Sequence, residues 1–233
     1  MRCCFNELDK IKVGIPPEKY RIKGAKNSDY LLGCNYKVKE NKMLLEMSGK
    51  INAAPNNLGS ITLENIEKAV ATLKNYGVEI NLDYLLEDAE LYRVDVKKDL
   101  EMDDNPSNYI SALKEVFKAC SDKYNINTYK KVKYFEGLEL CPVAKSAKHK
   151  ISMYAKYPEI LSKRHSDKGY FSQFDYEFLE QSKNTLRTEI QLHSFDEIRK
   201  SFQISKQEPP TLEKVFDYDG DVVNERLAEL KVF

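Results

Sequence analysis

Apolar and polar positions alternate with a period of two in three widely separated stretches of the chain. In residues 91–96, Tyr92, Val94 and Val96 fall on one side, and Arg93 and Asp95 on the other. In residues 150–156, Ile151, Met153 and Ala155 oppose Ser152, Tyr154 and Lys156. In residues 186–193, Leu186, Ile190 and Leu192 oppose Arg187, Glu189, Gln191 and His193. Alternation of this kind predicts half-buried strands. Placed in one sheet, the three would gather Arg93, Asp95, Tyr154, Lys156, Arg187 and Glu189 on a single open face. A merely solvated sheet face would favour Ser, Thr and scattered Lys or Glu.

The remaining pattern predicts helices between strands. Residues 1–60 read as strands and turns, with a strand over 42–48 and a loop over 53–59 set by Pro, Asn and Gly. Thr62 is placed to cap a helix reaching Tyr76, with Ile66, Ala69, Val70 and Leu73 on its apolar stripe and Gly77 to end it. This helix is expected behind the sheet, against Val94 and Met153. Residues 81–88 predict a shorter helix. Residues 108–120 predict another, with Ile110, Leu113, Val116 and Phe117 on one side. A strand is expected over 131–140, and a polar connection leading into a Phe- and Tyr-rich helix over 162–182. Ser194 and Glu197 have capping-box spacing, Pro209-Pro210 interrupts the chain, and short helices follow. The order predicts an α+β fold with a largely antiparallel central sheet, helices on one face and an open catalytic face. The domain reading is 1–205 for the main domain and 206–233 for a C-terminal extension.

The 233 residues can bury one sizeable core, and no apolar run is long enough to span a bilayer. The first residues lack the long apolar stretch of a signal peptide, so a cytoplasmic location is expected. The five cysteines, Cys3, Cys4, Cys34, Cys120 and Cys141, show neither Cys-x-x-Cys spacing nor a nearby His. Free thiols are expected, and no zinc site. Net charge is zero, which argues against indiscriminate polyanion binding. Between 142 and 168, however, seven cations face two acids, and Lys148 and Lys150 flank the Tyr154 stretch. That strip can contact phosphates or be a solvated face.

The chemistry these residues offer is phosphate chemistry. Tyr154 is the candidate nucleophile, and Lys156, two residues on, offers the positive charge a phenol needs near neutral pH. Asp95 and Glu189 read equally as a hard-oxygen pair for Mg²⁺ or Mn²⁺ or as salt-bridge partners of Arg93 and Arg187. Glu46 and His193 are weaker candidate ligands. His149 shares the apolar side with Ile151 and Met153 and reads as a packed, hydrogen-bonded core histidine; His165 reads as exposed. The Asp217–Asp221 turn lacks the Gly placement and closing Glu of a calcium loop, and no phosphate-binding Gly-rich loop, dinucleotide fingerprint or paired-histidine metal motif is present.

The order of these segments resembles the gene II/X-type replication proteins of filamentous phages and related plasmids, which are rolling-circle initiators akin to relaxases. The resemblance spans about 42–202. It rests on Leu45-Glu46-Met47, then Arg93-Val94-Asp95, then the basic strand carrying Tyr154-Ala155-Lys156, then Arg187-Thr188-Glu189. It implies a metal-dependent endonuclease in which Tyr154 cleaves one strand, leaving a 5′-phosphotyrosyl link and a 3′-OH primer. Asp95 and Glu189 would hold Mg²⁺ or Mn²⁺, while Lys156, Arg93, Arg187, Lys148 and Lys150 would contact phosphate. Single-stranded or origin DNA is the implied partner, with host helicase and polymerase acting afterwards and no membrane. The chain is shorter than the phage proteins. Two rival readings are a non-catalytic DNA-binding replication or packaging accessory protein, and a metal-dependent nuclease with a water nucleophile.

Overall fold

A computed structural model describes residues 6–24, 28–31, 33–49, 59–120, 122–128, 137–160, 180 and 182–230. The expectations for 53–58, 131–136 and 162–179, including His165, lie outside these residues. The chain is α+β and divides into two compact units, 1–96 with 192–222, and 97–191 with 223–233. Among the described residues, no helix is long and apolar enough to cross a membrane.

In the first unit the strands β1 (Glu7–Ile15), β3 (Ser28–Leu31), β4 (Cys34–Lys39), β5 (Lys42–Ser48) and the first half of β7 (Glu90–Glu101) lie in the order β3-β4-β5-β1-β7. β3, β4, β5 and β1 pair antiparallel in succession. Ile11, Val13, Ile15, Met43, Leu45 and Met47 alternate into a fully buried core. The β4–β5 hairpin turns through Glu40 and Asn41, at φ 51° and 58°, the left-handed conformation that a two-residue hairpin loop requires. A small antiparallel pair, β2 (Tyr20–Ile22) and β6 (Val78–Ile80), is packed by α1 (Leu63–Asn75). Thr62 caps α1, accepting from the Asn65 amide at 3.2 Å, and buries the four apolar positions the spacing predicts. Gly77, at φ 82°, follows the helix end. α2 (Leu82–Glu87) packs on α5 (Leu212–Asp217), and Ser194 caps α4 (Phe195–Ser201).

In the second unit the order is β7, β11 (Thr185–Leu192), β10 (His149–Ala155), β9 (Gly137–Pro142), β8 (Tyr124–Thr128). β8, β9 and β10 are antiparallel. The helix behind β8, β9 and β10, and thus behind the strand carrying Met153, is α3 (Pro106–Cys120). It buries Ile110 and Phe117, whereas Val116, expected on the same stripe, is exposed. A last helix, α6, runs over Val222–Glu229.

Candidate functional site

The second unit's sheet has two dissimilar sides. Ile151, Met153 and Ala155 of β10 are buried on the apolar side. Lys150, Ser152, Tyr154 and Lys156 alternate onto the other. Across from them on β9, Glu139 pairs with Ser152 and Gly137 with Tyr154. β11 supplies Arg187, Glu189 and Gln191 to the same polar side, and β7 supplies Lys97 and Asp99.

Tyr154 and Glu189 meet directly. The Tyr154 hydroxyl donates to Glu189 Oε2 at 2.9 Å, and the Gln191 amide donates to Glu189 Oε1 at 2.6 Å. Both carboxylate oxygens are therefore engaged. The Lys156 ammonium lies 5.7 Å from the centre of the Tyr154 ring and pairs with Glu159 at 2.8 Å. Arg187, which the alternation placed beside Glu189, instead grips Asp99 through two 2.6 Å hydrogen bonds, and Lys97 stands 3.7 Å from Asp99. Burial pushes the Asp99 carboxyl up. The Arg187 hydrogen bonds and charge, with the charges of Lys97 and Lys156, outweigh it and hold the group below the usual carboxylate range.

The expectation of a solvent-facing surface is corrected at these side chains. Tyr154 and Glu189 are each 7% exposed, Lys156 2% and Arg187 1%. A strand can bury both sides when the second side's polar groups find partners, and here they do. The same side becomes accessible toward β8. Glu139 and Lys150 form a 2.7 Å pair that is partly exposed, and Asn125, Asn127 and Lys148 are exposed. Ser152 is the exception to the pairing, since its buried hydroxyl has no hydrogen-bond partner. His149 bonds through Nε2 to the Tyr124 hydroxyl at 3.1 Å, as the pattern suggested, but it is half-buried and not a core residue.

Asp95 and Arg93 belong to the first unit. Arg93 grips Asp95 at 2.7 and 2.5 Å, and Asp95 is buried. Arg93 also lines a groove of about 520 Å³ with Lys12, Lys39, Lys42, Glu46, Tyr92 and His193, so the two weaker ligand candidates line one groove. Tyr92 faces this groove, where its hydroxyl accepts from Lys42 at 2.5 Å, and does not follow Val94 into the core. That hydrogen bond, opposed by burial and aided by the charges of Tyr92 and Glu90, keeps the Lys42 ammonium protonated above its ordinary range. Gly14 makes the close fit possible, because a Cβ there would lie 2.6 Å from the Tyr92 ring and 2.7 Å from the Lys42 stem.

Among the described residues no three His, Cys, Asp or Glu side chains converge. Asp95 is held at both oxygens by Arg93, and Glu189 at both by Tyr154 and Gln191. As arranged, the pair does not fit Mg²⁺ or Mn²⁺. Lys97, Asp99, Glu159 and Gln191 were missed as partners in this network. The β7 alternation continues through Lys97 and Asp99, so that much was readable by extending the period past Val96.

No protein-family description and no curated protein matches the chain. Among solved structures the chain is similar to a rolling circle replication initiator protein from Geobacillus stearothermophilus, at 14% identity and a TM-score of 0.42, over 93% of this chain and 96% of that one. At that identity and score the likeness assigns no residue a role.

Proposed function

We propose that the chain is a DNA-nicking replication initiator whose nucleophile is Tyr154. The observation that carries this reading is the 2.9 Å hydrogen bond from the Tyr154 hydroxyl to a carboxylate, with an ammonium beside the ring. A phenol so placed has a proton acceptor within transfer distance and a nearby cation to stabilise charge developing on it. Tyr154 Oη attacks a phosphodiester phosphorus, the Oη–P bond forms, and the bond to the 3′ oxygen breaks. The phenolic proton leaves to an acceptor, and the 3′ oxygen takes a proton from water. The products are a 5′-phosphotyrosyl link and a 3′-OH that can prime synthesis.

A single strand would approach from the accessible side of the sheet, past Lys148 and Lys150. Within the first unit, the groove lined by Lys12, Lys39, Lys42 and Arg93 has the cations that phosphate binding needs.

The burial of the polar side favours a second reading, in which Tyr154–Glu189 and Arg187–Asp99 are interior scaffold in a DNA-binding accessory protein. One experiment separates the two. The full chain is incubated with 3′-labelled single-stranded oligonucleotides of random sequence and with duplexes containing melted segments, in EDTA and in Mn²⁺. A labelled adduct that survives SDS and disappears in Tyr154→Phe supports strand transfer. Retardation of the oligonucleotides without any adduct supports the accessory protein. Metal-dependent cleavage without an adduct supports a nuclease using water.

A further inference from the structure

We propose that Glu189 is the base that takes the proton of Tyr154, and that Gln191 is the positioning residue that aims it. The inference rests on the strand-transfer reading and goes beyond it by naming where the proton goes. Three side chains on two neighbouring strands stand in sequence. Tyr154 Oη donates to Glu189 Oε2 at 2.9 Å, and Gln191 Nε2 donates to Glu189 Oε1 at 2.6 Å. This is the geometric logic of an activated nucleophile: a nucleophile within hydrogen-bond reach of a base, and a third group fixing the base.

The arrangement follows from strand alternation. Glu189 and Gln191 are two residues apart on β11, so both project to one side, about 6–7 Å apart along the strand. Gln191 folds back along β11 to one oxygen and leaves the other aimed at β10. An amide donor suits this task, since it holds the carboxylate without neutralising it. Burial of Tyr154 and Glu189 strengthens the bond by excluding competing water. As the Oη–P bond forms, the phenolic proton passes to Oε2. In the reverse, rejoining reaction, the protonated carboxyl returns it to the departing phenolate. Glu189 accordingly acts as a proton carrier, a different role from the metal ligand its residue type suggested.

The test measures the rate of adduct formation by the full chain on a 3′-labelled single-stranded oligonucleotide that the wild type cleaves. Glu189→Gln keeps the shape and removes the basic oxygen, and is expected to slow the reaction about 100-fold or more. Incorporating trifluorotyrosine at position 154 supplies a more acidic phenol that needs less help from a base. In that background the Glu189→Gln loss should shrink to about 10-fold or less. Gln191→Leu should slow adduct formation without changing oligonucleotide affinity, and that loss should shrink in the same background. A merely structural role for Gln191 would leave the loss unchanged by the fluorinated phenol.

A Glu189→Gln rate equal to wild type overturns the proposal. So does a loss that persists with trifluorotyrosine and is recovered by raising Mn²⁺, which makes Glu189 a metal ligand while Tyr154 remains the nucleophile. If Glu189→Gln fails to fold by circular dichroism, the Gln191→Leu pair of measurements decides. A wild type that forms no adduct on any oligonucleotide removes the strand-transfer reading itself, and this proposal with it.

Discussion

Removing the Tyr154 hydroxyl tests whether its bond to Glu189 exists in solution, independently of any chemistry. Tyr154→Phe retains the ring and deletes one donor. From packing alone the change should be nearly silent, because the ring that Tyr154 buries in β10 is retained. The structure adds a term, since the lost bond is to a carboxylate that is itself buried. A hydrogen bond to a charged group contributes about 1.5–3 kcal/mol, and its loss leaves Glu189 held by Gln191 alone. For a chain of this size about 1 kcal/mol corresponds to about 2–4 °C in the unfolding midpoint. The midpoint should therefore fall by about 3–12 °C, combining those two ranges. Calorimetry and urea unfolding with an unchanged m-value would measure it. The coupling should appear in a double-mutant cycle: in a Glu189→Gln background the second loss should be about half as large, because the acceptor is no longer charged. A Tyr154→Phe midpoint indistinguishable from wild type, with no coupling to Glu189, would refute the geometry on which the site is built.

Asp99, Gly14 and Cys34 give further outcomes. Asp99→Asn leaves the buried Arg187 without its anionic partner, and should destabilise by about 3–5 kcal/mol in urea titrations at neutral pH. Because Asp99 is held below its unfolded value, its contribution is fully present above the ordinary Asp range and is lost as pH falls through the folded value. The acid side of the wild-type stability curve should thus be steeper than that of Asp99→Asn, and equal slopes would count against the pair. Gly14→Ala forces a Cβ against the Tyr92 ring and the Lys42 stem, and should destabilise by about 1–3 kcal/mol, with partial recovery in Tyr92→Ala. Burial pushes the Cys34 thiol up to about 12, so Cys34 should resist alkylation in the native chain and react only on unfolding, as read by mass spectrometry at neutral pH.

The local structure was legible wherever a residue's neighbours in sequence decide its conformation. Thr62 and Ser194 cap helices because their side chains reach amides three residues on, a relation fixed by the backbone alone. The apolar stripe of α1 is buried as its spacing requires, while Val116 shows that spacing alone does not guarantee burial. Tyr92 departs from alternation because Gly14, on another strand, opens room for its ring on the polar side. Period two revealed which residues share a side of β10 and β11, and so placed Tyr154 with Glu189's strand. It did not reveal that this side is enclosed, since alternation distinguishes polar from apolar but not wet from dry. Nor did it give the partners. Arg187 reaches across 88 residues of sequence to Asp99, and the nearer carboxylate, Glu189, goes to Tyr154.

Those partner choices have a structural consequence of their own. An exposed polar side tolerates a register slip, because water satisfies whatever the slip uncovers. The enclosed side here does not. A one-residue shift of β11 would turn Arg187, Glu189 and Gln191 toward the apolar side of the second unit's sheet. Tyr154 and Asp99 would then face Leu186, Thr188 and Ile190. Each displaced charge would be buried without its partner, at several kcal/mol apiece. The Arg187–Asp99 and Tyr154–Glu189 contacts therefore fix the register of β11 against β7 and β10 at two points. The Lys156–Glu159 pair, three residues apart at the end of β10, ties down the end of the strand that carries Tyr154. Rigid placement of a phenol against its acceptor is what a strand-transfer site needs before substrate arrives. The Tyr154 hydroxyl stands 2.9 Å from Glu189 on this same enclosed side, so on the proposed strand-transfer reading a loss of adduct in Asp99→Asn would reflect a displaced Tyr154 and not a missing phosphate contact.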